Sequence, residues 1–152
     1  MATLILGLGN TIMSDDGVGP CVIELLRNEL LPDQVSLPDG GTLGLDLLPY
    51  LEGMQRLIIV DAVETAQSAG TVIQLAGDQV PLALETKLSP HQMGMKDLLA
   101  VARLMGQLPD EIILIGVQPA CLEMGTELTP PVTQALPTLC SLVLQAARQS
   151  SL

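Results

Sequence analysis

TLILGLGNTIMSDDGVGPCVIELLRNELL, residues 3–31, decides the fold class. It opens on a short aliphatic run, residues 3–8, that ends among glycines and suits a buried strand. A glycine-rich turn follows. From residue 17 the apolar side chains Val18, Val22, Leu25, Leu26 and Leu30 recur with a helical period to residue 31, where Pro32 stops them. The rest of the chain keeps this alternation of strand and helix. Residues 34–37 form a second strand, closed by Pro38-Asp39-Gly40-Gly41, and Thr42 caps a helix over 43–51 with Gly53 beyond it. RLIIV, residues 56–60, is a third strand ending at Asp61, and residues 71–75 are a fourth. Only about ten residues separate these two, and a parallel return needs a dozen or more, so the fourth strand is expected to run antiparallel. A polar loop containing Pro81 comes next. Ser89-Pro90-His91-Gln92 opens a helix as N-cap, N1 and capping-box partner, running to about residue 105. EIILIGV, residues 111–117, is the fifth strand. Thr129 and Pro130 start a last helix to residue 149, which Pro137 is expected to break or kink near Ala135. The expected architecture is an α/β three-layer sandwich. About five strands form a mostly parallel twisted sheet with one antiparallel strand and helices on both faces. No repeat, low-complexity tract or linker interrupts it, so residues 1–152 are expected to form a single domain.

Composition narrows the function. With one Tyr and no Phe or Trp, the core must be aliphatic, and base stacking on aromatic rings has no platform. A net charge of −11 opposes a phosphate backbone and an anionic membrane, so neither nucleic acid nor membrane is an expected partner. The same charge would favour cations or a basic partner surface; alternatively, it only keeps an apolar protein soluble. No apolar run is long enough to span a bilayer, and the N-terminus lacks the basic start of a signal peptide. Cys21, Cys121 and Cys140 are far apart and form no CxxC, which reads as buried thiols in a reducing cytoplasm.

In sheets of this class ligands bind beyond the carboxyl ends of the strands. Gly7-x-Gly9 lacks a third glycine, and Asp15 and Asp16 would set like charge against a pyrophosphate, so a nucleotide-binding module is disfavoured. There is no GxxxxGK[ST], no GxSxG and, with one His, no HExxH. A cysteine–histidine dyad lacks a positive neighbour to activate its thiol. There remain Asp16, Asp61 and His91, a mixed oxygen–nitrogen ligand set for a divalent cation such as nickel or zinc, with coordination positions left open. At a helix N-terminus the dipole favours neutral imidazole, the ligand form. The structural alternatives stay open: Asp16 as a first-turn acid, Asp61 as a turn cap, His91 as a polar helix-start residue. Asp39 reads best as a turn residue, with general base or water-positioning group as its functional alternative.

GLGNTIMSDDGVG (7–19), DGGTLGLDLLPYL (39–51), LIIVDAV (57–63), SPHQMGMKDLL (89–99) and IGVQPACLEMGTELTPPV (115–132) occur in that order. Together they resemble the hydrogenase maturation endopeptidases, and SPHQxG resembles the branch serving uptake-type nickel–iron hydrogenases. The resemblance implies that Asp16, Asp61 and His91 recognise nickel and that Asp39 and Asp16 take part in catalysis. It implies one cut near the C-terminus of the large-subunit precursor, just after the last metal-binding motif and only once nickel is in place. The nickel then comes with the precursor, and no organic cofactor is needed. A cytoplasmic monomer is expected. The alternative is a non-catalytic nickel-binding checkpoint or chaperone for the same precursor.

Overall fold

The structure, a computed structural model, describes residues 2–38, 47–85 and 90–149, apart from the side chains of residues 82, 84–85, 90–94 and 96. The five strands are β1 (Thr3–Gly7), β2 (Val35–Ser36), β3 (Arg56–Ala62), β4 (Val72–Ala76) and β5 (Glu111–Val117). They lie in one sheet in the order β2-β1-β3-β5-β4. β1 pairs parallel with β2 and β3, β3 pairs parallel with β5, and β4 runs antiparallel on the outer side of β5. The mixed sheet expected from the short β3–β4 connection is therefore present.

The helices are α1 (Val18–Leu26), α2 (Leu48–Leu51), α3 (Gln79–Glu85), α4 (Pro90–Leu104) and α5 (Pro130–Arg148). Period-two alternation along the strands feeds two cores. Ile5, Ile58, Val60, Ile113, Ile115 and Val117 pack with α1 and α5. Leu4, Leu6, Leu57, Ile59 and Leu114 pack on the opposite face with Leu51 of α2, Val80 of α3 and Leu98 of α4. Among the described residues, no helix is long and apolar enough to cross a membrane.

Several local expectations change. The first helix starts with a 3-10 turn, Ser14–Gly17, and ends at Leu26 rather than residue 31. Pro32 disfavours helical backbone at the residue before it, and Leu30 is left 88% exposed, so the apolar period there buys no burial. The segment around Pro81 is the helix α3, not a loop. Pro81 stands in its first turn, where no intrahelical partner awaits an N–H. α5 runs through Pro137 without a break. Pro137 is exposed, and the apolar side chains on either side of it, Ala135 and Leu139, hold both halves against the sheet. β3 continues through Asp61 to Ala62. The cysteines are partly rather than fully buried. Thr42 and Ser89, named as caps, lie outside the described residues.

Candidate active site

The β1–β2 connection leaves by α1 on one face, and the β2–β3 connection returns by α2 on the other. The sheet therefore grows in opposite directions from β1 and β3, and a crevice opens between their carboxyl ends, the usual ligand position in such sheets. Asp16 follows β1, and Asp61 lies at the end of β3.

Close backbone packing positions the first of these. A β-carbon at Gly19 would stand 2.6 Å from both the Leu8 nitrogen and the Val60 oxygen, so only glycine lets α1 seat its first turn on the sheet. Gly9, at φ +126°, then turns the chain back over that helix start. The Asp16 carboxylate accepts the Asn10 amide (2.8 Å), and Asn10 Oδ1 accepts the Ile12 amide (3.0 Å). An N–H that would serve a phosphate in a dinucleotide fold is thus taken by an internal carboxylate, in keeping with the case against nucleotide binding.

Asp61 is fully buried. It shares strand parity with Leu57, Ile59 and Val63, all of which pack on the α2–α4 face, so it faces the layer that α4 belongs to. Its register neighbour on β5 is Gly116, which puts no side chain beside it. His91 lies in the first turn of α4, and its side chain is outside the description. Asp39 lies outside the described residues. Among the described residues, no three His, Cys, Asp or Glu side chains form a metal-sized cluster. Asp16 and Asp61 thus come from neighbouring strand ends, with the α4 start on the face toward which Asp61 points.

Asp15, which the sequence marks only as the acidic neighbour of Asp16, organises this edge. It is fully buried. Its Oδ2 accepts the Ala120 amide (2.8 Å), the Cys121 amide (3.0 Å) and the Thr129 hydroxyl (2.8 Å), and its Oδ1 accepts the Thr129 amide (2.7 Å). Burial raises its pKa, but the hydrogen bonds from Thr129, Ala120 and Cys121 together outweigh that and hold it below the ordinary aspartate value. The clue was present in two adjacent acids at a helix start, where only one can face outward. Gln118, also buried, joins the β3 end to the same loop. Its Oε1 accepts the Thr65 amide (2.6 Å) and hydroxyl (2.8 Å), and its Nε2 donates to Glu64 (3.0 Å). Two of the thiols, Cys21 and Cys140, are not activated as nucleophiles. Burial pushes Cys21 up, and burial with the nearby Cys21 and Glu29 pushes Cys140 up.

Comparison with known proteins agrees with this architecture. A family model described as hydrogenase maturation protease matches residues 20–146. The chain is 38% identical over 152 residues to the hydrogenase 2 maturation protease of Escherichia coli, covering 99% of this chain and 93% of that one. It is 39% identical over 145 residues to the hydrogenase expression/formation protein HupD of Bradyrhizobium diazoefficiens, covering 93% and 76%. The solved hydrogenase maturating endopeptidase HybD from E. coli superposes with a TM-score of 0.92 at 37% identity, over 97% of this chain and 93% of that one. With a family match that spans most of its length and near-full-length likeness in both sequence and fold, this chain belongs to the hydrogenase maturation proteases and is an endopeptidase.

Proposed function

We propose that this endopeptidase makes one cut near the C-terminus of the nickel-loaded large-subunit precursor of an uptake-type nickel–iron hydrogenase, acting as a single-domain monomer in the cytoplasm. The observation that carries the reading is the fully buried Asp61 carboxylate at the carboxyl end of β3, across the sheet's switch point from Asp16 and facing the α4 layer. A carboxylate in that position is an oxygen ligand of the kind a divalent cation takes. In this reading Asp16, Asp61 and His91 receive the nickel that the precursor brings, so that only a loaded precursor is held in register for cutting. Two carboxylates and an imidazole suit nickel and leave positions for the precursor's own ligands. Asp39 or Asp16 would take the proton of the attacking water and return it to the leaving amine as the peptide C–N bond breaks, and the nickel held by Asp16, Asp61 and His91 would supply Lewis-acid polarisation if the scissile carbonyl reached it.

The test is the mass of the precursor, nickel-loaded and nickel-free, before and after incubation with this protein. Shortening of the loaded form alone is the expected result. Binding of the loaded form without shortening would instead support the checkpoint reading, and equal shortening of both forms would end the nickel-recognition claim.

A further inference from the structure

The loop after β1 and the loop after β5 are knit into one rim. The Gly125 amide donates to the Ile12 carbonyl (2.9 Å), the Ser14 amide to the Gly125 carbonyl (2.9 Å), and the Ser14 hydroxyl to the Glu123 carbonyl (2.6 Å). Met13 and Gly125 pair as an isolated parallel bridge, which sets Ile12 beside Met124. Ser14 holds this arrangement at φ +52°, a conformation unusual for a residue with a β-carbon. The Asp15 carboxylate clamps the same two loops from beneath.

This rigid rim presents apolar side chains outward. Ile12 is 52% exposed, Leu122 49% and Met124 83%. Glu123 is exposed between the last two, and Glu127 follows. A groove of about 210 Å3, lined by Thr11, Pro20, Thr126 and Leu128 among others, lies between the same loops. The Asn10 amide that feeds Asp16 belongs to this loop, so the rim is continuous with the candidate site. The four arginines lie at the opposite edge: Arg27 ends α1, Arg56 opens β3, and Arg103 and Arg148 stand in the last turns of α4 and α5. Leu30, and Leu104 with Met105, are also exposed there, but they lie at or beyond the ends of α1 and α4 and are not joined to the crevice.

We infer that Ile12, Leu122 and Met124 form a docking rim for an apolar, positively charged stretch of the precursor polypeptide next to the bond that is cut. The inference rests on the proposed function and deepens it. The fixed backbone means that no loop has to be ordered on binding, so the exposed side chains can contribute to affinity directly. Met124, unbranched and polarisable, adapts to an irregular peptide surface. Glu123 supplies the charge complement to a basic side chain.

The test compares the wild-type protein, Ile12→Ser together with Met124→Ser, and the control Leu30→Ser together with Leu104→Ser, whose side chains are 88% and 89% exposed at the far edge. Cutting of nickel-loaded precursor gives KM and kcat, and titration calorimetry gives affinity for the precursor independently of cutting. The rim variant is expected to raise KM and Kd by about tenfold with kcat nearly unchanged, and the control to leave all three unchanged. Wild-type affinity is expected to fall with added salt, and less so in Glu123→Gln. Unchanged KM and Kd in the rim variant, equal loss in the control, or a fall in kcat alone would each overturn the docking rim. Failure of the wild type to shorten the precursor would count against the functional reading instead, and the calorimetry would still decide the rim.

Discussion

Asp15 and Asp16 are adjacent and chemically identical, and the fold gives them opposite tasks. Asp15 spends its charge inward on four donors from residues 120, 121 and 129, while Asp16 keeps a partly exposed carboxylate at the crevice. Asp15→Asn is expected to destabilise the protein by about 1–3 kcal/mol at neutral pH, because an amide group would turn a donor toward donors. The effect carries a pH signature. Asp15 titrates below its ordinary value when folded, so its contribution is full above the unfolded value of about 3.9 and fades as pH falls through the lower folded one. Urea denaturation should therefore show the gap between wild type and Asp15→Asn closing as pH drops from about 5 toward 2, and a gap independent of pH would contradict it. The thiols give a second expectation. Since burial raises Cys21 and Cys140, alkylation at neutral pH should be slow, and Cys21→Ala should cut precursor at close to the wild-type rate in a mass assay.

At the scale of elements, the contact between α1 and the sheet is made by backbone. Gly19→Ala would drive a β-carbon against Leu8 and Val60, and no flexible side chain can give way. A loss of about 1–3 kcal/mol is expected by urea denaturation, accompanied by weaker cutting because α1 carries the Asp16 turn with it. Arg56 plays a similar part at the other edge. Its guanidinium, 1% exposed, donates to the Ala146 and Gln149 carbonyls at the end of α5 and to Glu111. Arg56→Ala should cost about 2–4 kcal/mol in the same measurement, since buried carbonyls lose their donor. These contacts mark where the sequence was legible and where it was not. Strands β1, β3 and β5 were readable because a buried parallel strand is a continuous aliphatic run, and β5 matches residue for residue. The antiparallel β4 followed from chain length alone. The early end of α1 and the helix at Pro81 were missed because helical period and proline report local preference, whereas burial decides whether a turn forms. Asp61 could be placed at a strand end, but its burial and the face it points to depend on pairing between distant strands. The clamp on Asp15 spans more than a hundred residues and leaves no local trace.

For the whole molecule, the reaction couples recognition to cutting, and variants can separate the two. Asp16→Ala or His91→Ala should weaken productive binding of the loaded precursor, read as a raised KM in single-site titrations of rate against precursor. If the cation also stabilises the oxyanion, kcat at saturation should fall as well. Asp39→Asn keeps the turn preference and removes the charge. Slower single-turnover cutting with unchanged nickel affinity is expected if it is the base, and wild-type cutting would leave that role to Asp16. The topology has one more consequence, for how the chain reaches this state. β4 is made directly after β3 but pairs only with β5, which sits between them and is synthesised after α3 and α4. On a ribosome, β4 must wait as an unpaired strand until β5 has emerged, while β1 and β2 already have their partners and β3 has β1 on one edge. Three of the five strands can thus assemble during synthesis, and the remaining two close late, when β5 inserts between β3 and β4.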